Sequence, residues 1–243
     1  MAVLTLPGAD AVLAAQAAAL PQPDQVCGPV SARSALHAVL EGDEVPGLTA
    51  LARASGTAIW PHDDPAGRPP GALLDRTGWE ALPAAPDAGS SGTDAAGLTR
   101  GVATATDGRV VVVPASGVGA DGPAVTHLLV ALARAAAPVG VVANVRTGVL
   151  DPGAGWDVGH FVALWAVDPE APDGPQVAVA DTYPELGAPG APPGCRWVPA
   201  ARLAAAVADP PGRGLLLLAR PADEGLVTAL VEEAGLAVAP WST

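Results

Sequence analysis

A chain of 243 residues, half of them apolar, can bury a full hydrophobic core. Its formal charge of −13 excludes the basic surface by which proteins displace counterions from a nucleic-acid backbone or hold an anionic membrane. With one Phe and one Tyr the core must be aliphatic. The lack of lysine and the heavy use of Ala, Gly, Pro and Arg read as the coding bias of a GC-rich bacterial genome.

Asp10 and Gln16 interrupt the alanine-rich N-terminal stretch where a signal peptide would run unbroken, and no segment has the apolar length of a bilayer span. A soluble cytoplasmic protein is expected, touching neither membrane nor nucleic acid, with Cys27 and Cys195 as free thiols. One domain over 1–243 is expected, with a mainly helical part at 1–136, a mainly β part at 137–220, and a C-terminal helix and tail at 221–243.

Along the chain, Asp10 stands where an N-cap belongs, ahead of a helix over Ala11 to Leu20 that Pro21 and Pro23 end. Pro29 suits a first helical turn, and Ala32, Ala35, Leu36, Val39 and Leu40 continue at helical spacing, which puts Cys27 at that helix's start. A short helix around Leu48 to Ala54 precedes a Pro/Gly/Asp-rich stretch, Thr57 to Gly92, expected as loop with a helical turn or two. Leu98 to Ala105 and Ala124 to Ala136 read as helices around a buried strand at Val110 to Val113. Val139 to Val145, Phe161 to Val167, Val177 to Asp181 and Leu215 to Leu218 read as strands of an antiparallel sheet. Pro199 to Ala208 and Ala222 to Ala234 read as helices packed near it. The class is α+β.

A thiol becomes nucleophilic when its pKa falls, and the unpaired N–H groups at a helix N-terminus lower it. Cys27 has that position, although a lone cysteine also serves as a small core hydrophobe. The segment Gln22-Pro23-Asp24-Gln25-Val26-Cys27-Gly28-Pro29 resembles the nucleophile segment of the bacterial papain-like peptidases that include the bacteriocin-leader-processing (double-glycine) enzymes. Gly159-His160-Phe161-Val162-Ala163 and Val179-Ala180-Asp181-Thr182-Tyr183-Pro184 follow in the order such enzymes use, Cys then His then an acidic orienting residue. The resemblance rests on these three motifs and implies a papain-like fold. It also implies catalysis by Cys27, His160 and Asp181, with Gln22 as oxyanion donor and Gln25 as the alternative. Trp156, Gln25 and Tyr183 are candidates for a substrate groove.

The activity implied is thiol chemistry on a peptide or precursor peptide, as a peptidase when water resolves the thioester or an acyl transferase when an amine does. The rival is a non-proteolytic maturation protein for a ribosomal peptide natural product, such as a lanthipeptide-type cyclase or a precursor-binding accessory. A binding module that has lost activity is the third class. Neither cofactor nor metal is expected: His62-Asp63-Asp64 lacks further spaced ligands, and the spacing of Cys27, His160 and Cys195 does not support zinc. His37 is expected to face solvent, His127 to lie in the core or at its boundary, and Cys195 in a Gly/Pro loop. Asp157 competes with Asp181 as partner of His160, and Asp181 is preferred.

Overall fold

The structure is a computed structural model that describes residues 3–135 and 137–241. Its centre is a seven-stranded antiparallel sheet. The strands are β1 (Leu4–Thr5), β2 (Val111–Ser116), β3 (Gly140–Arg146), β4 (Gly159–Asp168), β5 (Gln176–Ala180), β6 (Cys195–Pro199) and β7 (Gly214–Ala219). Their order is β2-β7-β3-β4-β5-β6, and β1 pairs with Ala166 and Val167 of β4, beyond the reach of β3. The architecture is α+β.

Alternation along the strands sends apolar side chains to both faces. Val141, Ala143, Val162, Leu164, Leu215 and Leu217 meet α5 (Gly122–Arg134), α6 (Ala200–Ala208) and α7 (Glu224–Glu233). Val142, Phe161, Leu216 and Leu218 meet α2 (Cys27–Leu36), α3 (Leu48–Ala54) and α4 (Ala95–Ala105) on the other face. Beside them α1 (Ala9–Ala19) packs Val12 on Ala163 and Ala180. Both faces are thus covered, so β7 reads as a continuous apolar run and β3 as one broken only at Asn144 and Arg146 near the cleft. Among the described residues no helix is long and apolar enough to cross a membrane.

Several boundaries differ from the sequence reading. The first helix is capped not by Asp10 but by Gly8 in the left-handed region, where a Cβ would sit 2.7 Å from Ala38 Cα; Asp10 lies in the first turn. The second helix ends at Leu36, not Leu40, because the chain tightens into i→i+3 bonds such as Val39 N–H to the Leu36 carbonyl, while Val39 stays in the core. The fifth ends at Arg134, and Ala136, where its end was expected, lies outside the described residues. The sheet also gains β1 and β6, so Cys195 opens a strand and is buried instead of lying in a loop. The Thr57 to Gly92 stretch carries three single 3₁₀ turns, and it is pinned by Ile59 and Trp79 packing on Val26 and Val30 beside the start of α2.

Helix α2 lies so close to the sheet that a Cβ on Gly140 would run into the Ala35 carbonyl. Gly140→Ala is expected to destabilise the fold by about 1–3 kcal/mol, the usual cost of overpacking, in chemical denaturation. It should also slow alkylation of Cys27, because the helix that carries the thiol must shift.

Candidate functional site

In an antiparallel sheet the end of one strand lies beside the start of the next. One edge therefore gathers the end of β3, the start of β4, the end of β5 and the starts of β6 and β7. His160 is the second residue of β4, Asp181 directly follows β5, Arg196 is the second residue of β6 and Arg213 directly precedes β7. Cys27, first residue of α2, faces this edge, and Ser31 Oγ ties the helix down by donating to the Phe161 carbonyl at 2.9 Å. Gly28 lets the helix approach, since a Cβ there would already sit 3.3 Å from the Phe161 ring.

The structure brings Cys27, His160 and Asp181 together. His160 Nε2 lies 3.0 Å from Asp181 Oδ1, and the imidazole is within hydrogen-bonding reach of the Cys27 thiol. With Nε2 committed to Asp181, Nδ1 is the nitrogen left for sulfur. Burial raises the Cys27 pKa, but the imidazolium beside it and the Phe161 backbone N–H outweigh this and hold it below the ordinary thiol value. Burial likewise pushes His160 down, while Asp181 and the thiolate together bring it up to about 10. Each charge thus favours the other: the imidazolium of His160 pulls Cys27 toward the thiolate, and the thiolate and Asp181 keep His160 protonated.

Asp181 stays ionised because its buried carboxylate has three donors: His160, Arg196 Nη1 at 3.2 Å to Oδ2, and the Tyr183 backbone N–H at 3.2 Å to Oδ1. Its backbone is fixed as well, with Gln16 Nε2 donating to the Asp181 carbonyl at 2.7 Å while Gln16 Oε1 accepts from Ser34 Oγ of α2. Asp157, the competing acid, instead forms a two-pronged pair with Arg146 at 2.6 and 2.8 Å.

Cys27 and His160 border a cleft of about 760 Å³ whose far wall is the Thr57 to Asp94 segment. Gln22 lines it, buried, with no hydrogen-bond partner for its Oε1 among the described residues. Gln25 also lines it, with its amide held on both sides by Trp60: Oε1 accepts from Trp60 N–H at 2.6 Å and Nε2 donates to the Trp60 carbonyl at 3.0 Å. It acts as a clasp on the wall, which ties the amide to Trp60. Tyr183 lines the cleft, whereas Trp156 does not. The Trp156 ring packs edge-on over His160 and Tyr183, at 5.0 and 5.4 Å between centroids, and shields the imidazole. Two histidine expectations fail: His37 is half-buried at the C-cap of α2 with no partner for Nε2 among the described residues, and His127 is exposed on α5. The described residues hold no group of three or more His, Cys, Asp or Glu that could hold a metal ion.

Sequence reasoning missed the polar residues around the pair. Asp24 sits three residues before Cys27, accepts from Tyr183 Oη at 3.2 Å, and is raised to about 6 by burial against the opposing pull of Tyr183 and Arg68. Arg68, Asn144, Arg196 and Arg213 were likewise passed over. None belongs to a spaced motif, and only the fold assembles them.

The match to a family of unknown function (DUF6885) spans residues 6–242, and the chain belongs to that family. No curated protein matches it.

Burial and the nearby Asp181 raise the other thiol, Cys195, to about 11. Iodoacetamide at pH 6 is therefore expected to modify Cys27 at least about tenfold faster than Cys195, since only the thiolate reacts. Peptide mapping by mass spectrometry reads the ratio, and equal slow labelling would contradict the paired state. His160→Ala should abolish the difference.

Proposed function

We propose that this protein is a papain-like thiol enzyme that transfers the acyl group of a peptide through Cys27. The observation that carries the reading is the partly accessible thiol at the first turn of α2, within reach of a buried imidazole that a buried carboxylate orients, at the floor of a peptide-sized cleft. Motif order along the chain and the proximity of Cys27, His160 and Asp181 in the fold both support this reading.

In this mechanism the Cys27 thiolate adds to the substrate carbonyl. Negative charge moves to the carbonyl oxygen, where two donors await it: the Gln22 side-chain amide and the Cys27 backbone N–H, which has no intrahelical acceptor in the first turn. His160 then passes its Nδ1 proton to the leaving amine as the C–N bond breaks, giving a thioester on Cys27. The neutral imidazole next removes a proton from water or from an acceptor amine, which attacks the thioester and frees the thiol. Water makes the reaction a hydrolysis and an amine makes it a transfer. Asp181 holds Nε2–H throughout, so the ring neither rotates nor changes tautomer.

The test is turnover of a peptide library followed by mass spectrometry. Cleavage or amine-captured product should appear with the native chain and vanish with Cys27→Ala, whereas turnover by Cys27→Ala would overturn the reading. Gln22→Ala should lower kcat by about 10²–10³, the cost of one oxyanion donor, with little change in KM. The rate should rise on the acid side as Cys27 ionises, earlier than for an ordinary thiol, and fall as the pH passes about 10 and His160 loses its proton.

A further inference from the structure

The same cleft contains a cation that the acyl-transfer chemistry does not use. Arg213 is 6% exposed, just ahead of β7, and lines the cavity together with Cys27 and His160. Nη1 donates to Asn144 Oδ1 at 2.9 Å, Nε is buried without a partner, and no carboxylate lies within ion-pair distance among the described residues. The other cleft arginines differ: Arg146 is neutralised by Asp157, Arg68 by Asp63 with Asp24 nearby, and Arg100 is exposed.

A buried guanidinium with most of its N–H groups unused is costly, and a native fold retains one where something else completes it. The anion is not supplied by the surroundings. Asp209 and Asp157 act on Arg213 only at a distance, and Arg146 opposes its charge. Gly159 supplies the second observation: it opens β4 immediately before His160, and a Cβ there would sit 2.8 Å from Arg213 Nη1. The absence of a side chain leaves the guanidinium facing the space next to the reacting centre. A planar fork of donors matches a carboxylate in two-pronged geometry.

We propose that Arg213 is the specificity residue of the cleft and binds a carboxylate of the peptide substrate, either an acidic side chain or the free C-terminus, next to the bond that Cys27 attacks. The proposal rests on Cys27 being the reacting centre. It selects acidic or C-terminal segments in a protein whose net charge of −13 would otherwise repel them.

The test uses the full chain and maleimides that carry either a neutral ethyl group or a carboxylate on alkyl linkers of increasing length. The quantity read is the rate of Cys27 modification by the acidic reagent relative to the neutral one. An optimum linker is expected to give about a tenfold preference, the worth of one charge-assisted hydrogen bond. Glutarate should suppress that preference, and Arg213→Gln should return the ratio to that of free cysteine while Arg213→Lys keeps part of it. A preference that survives Arg213→Gln would assign the attraction to the His160 imidazolium and overturn the proposal. A ratio independent of linker length and untouched by glutarate in the native chain overturns it too, and needs no variant to fold. Peptidyl maleimides with Glu or Gln, and with free or amidated C-termini, separate the two sources of carboxylate. Failure of the acyl-transfer reading shows elsewhere, as Cys27 reacting with the neutral reagent no faster than Cys195.

Discussion

The hydrogen-bonded pair of His160 and Asp181 is the constraint around which this molecule is arranged. Each is almost wholly buried, and an ionised carboxylate in that setting is tolerable only when charges and donors surround it. Arg196 arrives from β6, the Tyr183 amide from the chain just past β5, and His160 from β4, so three neighbouring strand ends satisfy one carboxylate. Gln16 then ties the same residue's backbone to α1 and, through Ser34, to α2. The helix that carries Cys27 is fixed to the edge of the sheet by the polar groups that keep Asp181 ionised.

Charge in the cleft is graded by what each group has as a partner. Asp181 has cationic and neutral donors and stays anionic. Asp24, with one hydroxyl and a more distant arginine, is raised to about 6, and Tyr183, held between Asp24 and the thiolate, is pushed far above the ordinary phenol value by burial first and by those anions second. Tyr183 is therefore a neutral donor and a wall against water. Burial raises Cys195 on the same sheet edge, so two thiols in one protein have opposite reactivities through surroundings alone.

Much of this was legible in the chain. The helix over Leu48–Ala54 and the four aliphatic strands follow from periodicity, because each is long and regular enough for its pattern to exceed local noise. Cys27, His160 and Asp181 could be picked out because motifs and chain order mark them. Strand β6 could not: Cys195–Pro199 contains Arg and Pro, pairs with β5 alone, and exposes Trp197, so no alternation sets it apart from the surrounding Gly/Pro text. Arg213 was equally hidden, since a lone arginine in a Pro-Gly turn has no period, and only the packing of β3 against β7 places it next to Asn144. The amide of Gln25, clasped by Trp60, and that of Gln22, whose Oε1 has no partner among the described residues, look alike in sequence, and only the position of Trp60 tells them apart.

The parts of the site are far apart along the chain: Cys27 comes from the first helices, His160 from the fourth strand, Asp181 from the fifth, and the strand that Arg213 leads lies between β2 and β3. Such non-local pairings form late, after the entropy of closing long loops has been met. Until they form, Cys27 is an ordinary thiol, mostly protonated at neutral pH and slow to react or oxidise. Its ionisation is thus a property of the completed sheet, and a nascent or partly unfolded chain is shielded from its own chemistry by having no imidazole nearby. Thiolate absorbance in the ultraviolet during refolding would rise with the last strand pairing, making Cys27 an internal clock for the closing of the fold.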